Sequence, residues 1–232
     1  MTKPDWWYDE FRHFAVDFDD PQQVAAYDAR QGTKLAGERE LVRRLGITAG
    51  QQVVEFGTGT GAFAQAAAEV GASVIAVDIS PAMLAYAEKR AAEAGLSERT
   101  SFVREGFLSY KHNGAPADFI VTKYAFHHLP DFWKGIALNQ FAAMLKPNGK
   151  FYLEDVVFSF SPDAVESSIE AWIDRVGSGQ SFSRADFAGH VRDEYSTYGW
   201  ILEGLIERAG FGVVERDYTA PTYANYLCMK KR

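Results

Sequence analysis

Val53-Val54-Glu55-Phe56-Gly57-Thr58-Gly59-Thr60-Gly61 is the stretch that decides the fold. A short apolar run ends in an acid and enters a turn with glycine at every second position. A helical pattern follows at once, with Phe63, Ala66, Ala67 and Val70 at i, i+3, i+4, i+7 spacing. Strand, glycine turn and helix form the opening unit of an α/β sheet whose first loop approaches a ligand. Glycine lets that loop come close, because no Cβ stands in the way.

The acid before the first glycine discriminates between ligands. A dinucleotide sets a doubly charged diphosphate on the helix N-terminus, where free N–H groups and the dipole favour anions. Glu55 opposes such a group. S-adenosylmethionine brings an ammonium and a sulfonium and no phosphate, so Glu55 faces positive charge. The glycine pattern alone leaves both open, since Gly57, Gly59 and Ala62 also satisfy G-x-G-x-x-G/A. Asp78, after a second apolar run from Ser73 to Val77, is the ribose-binding acid in either case.

Strands and helix-length segments then alternate. The expected strands are Gln52 to Phe56, Ser73 to Val77, Ser101 to Arg104, Ala117 to Thr122, Lys150 to Val157, Gly212 to Arg216 and Tyr223 to Met229. Ser80 and Pro81 are an N-cap and first-turn pair opening a helix. An amphipathic helix spans Asp131 to Leu145, ended by Lys146-Pro147-Asn148-Gly149. Such alternation implies a mostly parallel sheet with helices on both faces. Before it lie two helical segments, about Pro21 to Arg30 and Lys34 to Leu45, the second stopped by Gly46. Residues 158–197 show no strand pattern and read as a helical cap inserted after the fifth strand, too short for a core of its own. The whole, 1–232, reads as one domain, with 1–46 as a helical lid.

The chain has 232 residues, 47% hydrophobic and 24% charged, which suits one large domain. Its net charge of -7 opposes binding to nucleic-acid backbones. A single cysteine, Cys228, excludes an internal disulfide and a cysteine-rich metal site. With no signal pattern and no apolar run of bilayer length, the expected location is cytoplasmic, without membrane contact. A homodimer stays open.

Four segments carry a family resemblance: VVEFGTGTG (Val53 to Gly61), AVDISPAML (Ala76 to Leu84), ADFIVTKYAFHHLPD (Ala117 to Asp131) and MLKPNGKFYLED (Met144 to Asp155). In this order and spacing they resemble the class I S-adenosylmethionine-dependent methyltransferases. The resemblance implies a Rossmann-like seven-stranded sheet of order 3-2-1-4-5-7-6 with strand 7 antiparallel. It also implies a set of cofactor roles. Glu55, Gly57, Thr58 and Gly59 line the methionine and ribose part, and Asp78 binds the ribose hydroxyls. Ile79 and Met83 pack on adenine. Lys123 offers its backbone near the ammonium, with Tyr124 close by. Many relatives place an acid after the third strand for the adenine amino group. Here Gly106 stands at that place, leaving the Phe107 backbone and packing. Glu105 substitutes only if the register slips by one residue, which turns its side chain to the other face.

Methyl transfer from a sulfonium is an in-line displacement from a good leaving group, so alignment and desolvation do most of the work. His128, then His127, are the candidate bases, at the carboxyl end of the fourth strand. The rival reading is that both orient the loop. Adjacent histidines diverge, so no metal is expected there. Glu154 and Asp155 are alternates for the acceptor, and alternation lets only one face the pocket. Tyr195 and Tyr198, in the polar segment His190 to Tyr198, are candidate acceptor-binding residues of the cap. Trp6, Trp7 and Tyr8 form either a lid or part of the core.

The favoured function is methyl transfer from S-adenosylmethionine to a small-molecule acceptor. A nicotinamide-dependent oxidoreductase on the same sheet and a non-catalytic S-adenosylmethionine-binding protein are the alternatives.

Overall fold

The computed structural model describes residues 3–12, 24, 27–28, 34–177 and 183–231. The central strand β1 (Gln52–Phe56) is buried from Val53 to Phe56 because it is covered on both faces, as parallel strands are. It pairs in parallel with β2 (Ser73–Asp78) on one side and β4 (Ala117–Lys123) on the other. β3 (Thr100–Arg104) flanks β2, and β5 (Leu145–Phe158) flanks β4, both in parallel. The last strand, β8 (Tyr223–Lys230), runs antiparallel between β5 and β7 (Phe211–Ala220). The order is β3-β2-β1-β4-β5-β8-β7.

This is the expected order, with one strand more. β6 (Thr197–Tyr198) pairs with Val157 and Phe158 at the tip of β5. Two residues are too short to show alternation, so this strand has no signal in the sequence. β5 begins at Leu145, not Lys150. The turn residues between them lie in an irregularity where the register with β4 shifts between Ala117 and Phe119. Such an excursion reads as a turn although pairing resumes on both sides.

Helices α1 (Leu35–Leu45) and α2 (Ala62–Glu69) cover one face of the sheet. Leu41, Val42 and Leu45 join Phe63, Ala66 and Ala67 there, against Val53, Val74 and Phe119. α2 ends before Val70, which is the C-cap and is exposed. Gly46 closes α1 in the left-handed conformation. α3 (Pro81–Glu93) opens as expected, with the Ser80 hydroxyl accepting from Met83 N at 3.0 Å. On the opposite face, α4 (Asp131–Met144) and α7 (Gly199–Arg208) pack on Val54, Phe56, Ile120 and Phe151.

The insertion after β5 is helical: α5 (Val165–Gly177) and α6 (Arg184–Asp193). Trp172 of α5 joins Val156 and Phe158 of β5 in a small core of its own. Ser183 and Asp186 form a capping box at the start of α6.

The N-terminal segment departs from the helical lid. Residues 3–12 are turns and irregular chain, with the Asp9 carboxylate accepting from Phe11 N at 3.1 Å. The segment Pro21 to Arg30 falls mostly outside the described residues. No helix among the described residues is long and apolar enough to cross a membrane.

Candidate functional site

The glycine loop after β1 lies over β2, because Gly57 N and Thr58 N both donate to Val77 O, at 2.9 and 3.1 Å. Asp78 then clamps two loops. One of its oxygens accepts from Gly59 N at 2.8 Å and the other from Ser80 N at 2.9 Å. A cavity opens at this carboxyl end of the sheet, walled by Gly57, Gly59, Asp78, Ile79, Met83 and Phe107.

Glu55 sits behind the loop, 3% exposed, and accepts from the Thr58 hydroxyl at 2.6 Å. Burial raises its carboxyl to a pKa of about 8, against the Thr58 hydrogen bond, which lowers it. Beside the cavity, a wider cleft is lined by Glu38, Glu55, Thr58, Lys123 and Glu154. The Lys123 ammonium donates to both oxygens of Glu38, at 2.6 and 2.8 Å. Tyr124 takes a positive φ of 50° and borders both spaces. It is held in that conformation by Glu154, which accepts from Tyr124 N through its carbonyl and from the phenol through its carboxylate.

An acid that follows the third strand does border the cavity. Glu105 lines the wall, and its Oε2 is buried without a hydrogen-bond partner. No register slip is needed, because β3 ends at Arg104 and Glu105 is free of the strand's alternation. Gly106 has a separate role. A Cβ there would lie 2.3 Å from Glu10 Oε2 of the N-terminal segment. Glu10 accepts from Leu108 N at 2.8 Å and, like Arg12, lines the cavity.

The two histidines occupy a single 3-10 turn, Phe126–His128, with their ring planes tilted by 50° to one another. His128 lines the cavity. Burial and the neighbouring His127 push its pKa down to about 3, so its ring is neutral. His127 is buried beneath. Its Nδ1 meets Asp155 Oδ1 at 2.5 Å, its Nε2 meets Glu194 Oε2 at 3.1 Å, and its backbone N–H donates to Asp155 Oδ2. Burial alone would lower the His127 pKa, but Asp155 and Glu194 outweigh it and raise it to about 9.

Residues 53–149 match the methyltransferase domain family. An uncharacterized methyltransferase of Geobacillus thermodenitrificans is 32% identical over 205 residues, covering 88% of this chain and 88% of its own. The chain belongs to the class I methyltransferase family. A second relative of this methyltransferase, from Geobacillus kaustophilus, is 32% identical over 203 residues, covering 88% of this chain and 87% of its own. Among solved structures, a SAM-dependent methyltransferase from Aquifex aeolicus superposes with a TM-score of 0.64 at 17% identity, over 90% of this chain and 98% of its own. A magnesium protoporphyrin IX methyltransferase from Synechocystis superposes with a TM-score of 0.62 at 16% identity, over 96% of this chain and 91% of its own. At these identities the structures speak for the fold.

The methyltransferase brings together most of the residues expected around the cofactor. Gly57, Gly59, Asp78, Ile79, Met83, Gly106, Phe107 and Lys123 share the cavity, with Tyr124 and His128. Glu55 and Thr58 border the adjoining cleft. The remaining candidates stand elsewhere. Asp155 is buried against His127, on the opposite side of β5 from Glu154, as alternation requires. Tyr195 donates its backbone N–H to His127 O at 2.9 Å. Tyr198 packs against Phe158 and Phe160 in the cap core. Trp6, Trp7 and Tyr8 gather around Trp133 of α4, and the Tyr8 hydroxyl donates to His128 O at 2.9 Å. Glu10, Arg12 and Tyr27 reach the cavity from a part of the chain with no motif to announce them.

Proposed function

We propose that this methyltransferase takes its methyl group from S-adenosylmethionine and delivers it to a small-molecule acceptor. The observation that carries this reading is the buried Glu55 carboxylate at the foot of the glycine loop. An ammonium there draws the proton off Glu55 and is matched by the resulting carboxylate, whereas a diphosphate laid on that loop would gain no such partner.

The residues present fit the whole cofactor. Asp78 borders the cavity at the height of a ribose, between the glycine loop and the hydrophobic wall of Ile79 and Met83. The unpartnered Glu105 Oε2 is an acceptor awaiting a donor, which the adenine amino group supplies. Gly57 and Gly59 leave the cavity floor clear. The Synechocystis methyltransferase of the same fold was solved with S-adenosylhomocysteine bound, which supports the same ligand here.

When bound, the sulfonium supplies an activated methyl group and a neutral thioether leaving group. The protein's part is then to align the acceptor and exclude water. His128 offers a neutral ring at the cavity wall, able to accept a hydrogen bond from an acceptor O–H or N–H. Tyr124 is the one expected acceptor-binding residue that borders the cavity. The small-molecule class is supported by the net charge of -7 and by the N-terminal residues Glu10, Arg12 and Tyr27 that line the cavity.

Thermal shift tests the reading. Ligand at about 100 times its dissociation constant adds roughly 2.7 kcal/mol. For a domain of this size that is about 5–10 °C. The expected result is a shift with S-adenosylmethionine and S-adenosylhomocysteine and none with NAD. A shift with NAD alone would overturn the proposal. Release of S-adenosylhomocysteine with a panel of small acceptors then tests turnover.

A further inference from the structure

Beneath the cap, His127, His190 and Glu194 each offer one ligand atom within 4.8 Å of the other two. They arrive from two directions. His127 comes from the turn after β4. His190 lies in the last turn of α6 and Glu194, four residues on, is its C-cap, whose N–H donates to His190 O. One carboxylate oxygen, Glu194 Oε2, lies 3.1 Å from His127 Nε2 and 2.6 Å from His190 Nδ1.

The outer nitrogen of each ring is fixed by a neighbour. His127 Nδ1 meets Asp155 Oδ1 at 2.5 Å, and His190 Nε2 meets Ser196 Oγ at 2.7 Å. A carboxylate only accepts, so Asp155 keeps the proton on His127 Nδ1, and a metal ion that displaces the other proton finds the Nε2 lone pair directed inward. Support of this kind behind each ring is how proteins orient histidines for a metal. Asp155 and Glu194 also bring two negative charges to a buried place, the charge that a dication neutralises with both rings uncharged.

We propose that His127, His190 and Glu194 hold a divalent transition-metal ion of the zinc class, with Asp155 and Ser196 as outer supports. Two imidazoles select zinc, cobalt or a similar ion over magnesium and calcium, which favour oxygen. Ligands on a tetrahedral ion at about 2.0–2.1 Å stand roughly 3.4 Å apart, so Glu194 Oε2 has to draw back from the two rings by less than about 1 Å. The ion fastens α6 to the turn after β4. That turn also carries His128, whose ring centroid is 4.3 Å from that of His127 and which lines the cavity. Three protein ligands leave a position open for water or another donor.

The site uses none of the residues assigned to the cofactor, so it stands or falls apart from that reading. The test titrates Co2+ into the full-length protein after dialysis against a chelator. Ligand-field absorption and equilibrium dialysis read the result, and S-adenosylhomocysteine binding is measured on the same samples. The expected result is one Co2+ per chain at micromolar concentration, displaced by Zn2+. His190→Ala and Glu194→Gln should lose the absorption while keeping their circular dichroism. If a variant fails to fold, the wild-type protein still decides, through stoichiometry and a raised melting temperature with Zn2+. Absence of Co2+ binding up to millimolar concentration, or undiminished binding in folded variants, would overturn the site whatever the cofactor result.

Discussion

A side chain on Gly57 would collide with Ala125: its Cβ would lie 2.4 Å from the Ala125 Cβ. Gly57 also has a φ of 67°, in the left-handed region. The loop after β1 and the loop after β4 therefore meet through a missing side chain. For Gly57→Ala the backbone strain alone costs about 1–2 kcal/mol, and displacement of Ala125 adds to it. Calorimetry should show a melting temperature lower by about 4 °C or more, and affinity for S-adenosylhomocysteine should fall at least tenfold.

Glu55 makes the free protein pH-sensitive. Its carboxyl is raised from 4.5 to about 8 by burial. The folded state thus binds a proton that the unfolded chain has released. The associated stability is fully present below the ordinary carboxylate pKa and is lost as pH rises toward 8, with a slope of up to about 1.4 kcal/mol per unit. A cationic ligand reverses the preference, so binding should expel close to one proton at neutral pH. Calorimetric titration in buffers of different ionisation enthalpy measures this. Glu55→Gln should abolish both the slope and the proton release.

The unpartnered acid at the cavity wall gives a prediction of specificity. A hydrogen bond to a charged acceptor is worth roughly 1.5–3 kcal/mol, so Glu105→Ala should weaken S-adenosylhomocysteine binding by about 10- to 100-fold. Glu105→Gln, which can donate, should bind the inosine analogue better than the wild type does. Equal losses for both ligands would place the purine elsewhere.

Phe141 has no exposed surface and contacts Phe56, Phe107, Phe126 and Phe151. Removal of a ring from such a cluster costs about 3–5 kcal/mol. Phe141→Ala should lose that amount of unfolding free energy in chemical denaturation, through a lower midpoint with an unchanged dependence on denaturant.

The parts of this protein that could be read in the chain are those set by neighbours in sequence. The apolar run to Phe56, the glycines after it and the Ser80 cap are local choices, and each is where it was expected. Glu10 was not legible, because it meets Leu108 at a separation of 98 residues and nothing local marks it. Glu105 was misjudged because strand alternation was extended one residue past the strand's end. His190 and Glu194 did carry a signal, a four-residue spacing from the last turn of a helix to its C-cap. Their partner His127 is joined to them only by the packing of the cap on the sheet. The turn residues before Lys150 concealed the start of β5, since local conformation does not tell whether pairing resumes beyond an excursion.

The neighbouring acids Glu154 and Asp155 serve opposite sides of the same strand, one holding Tyr124 and the other His127. Loss or gain of a single codon between Lys150 and Glu154 would exchange their destinations and unmake both arrangements together. Point changes can therefore accumulate along this strand while its length stays frozen, and tolerated insertions belong to the surface connections on either side of it.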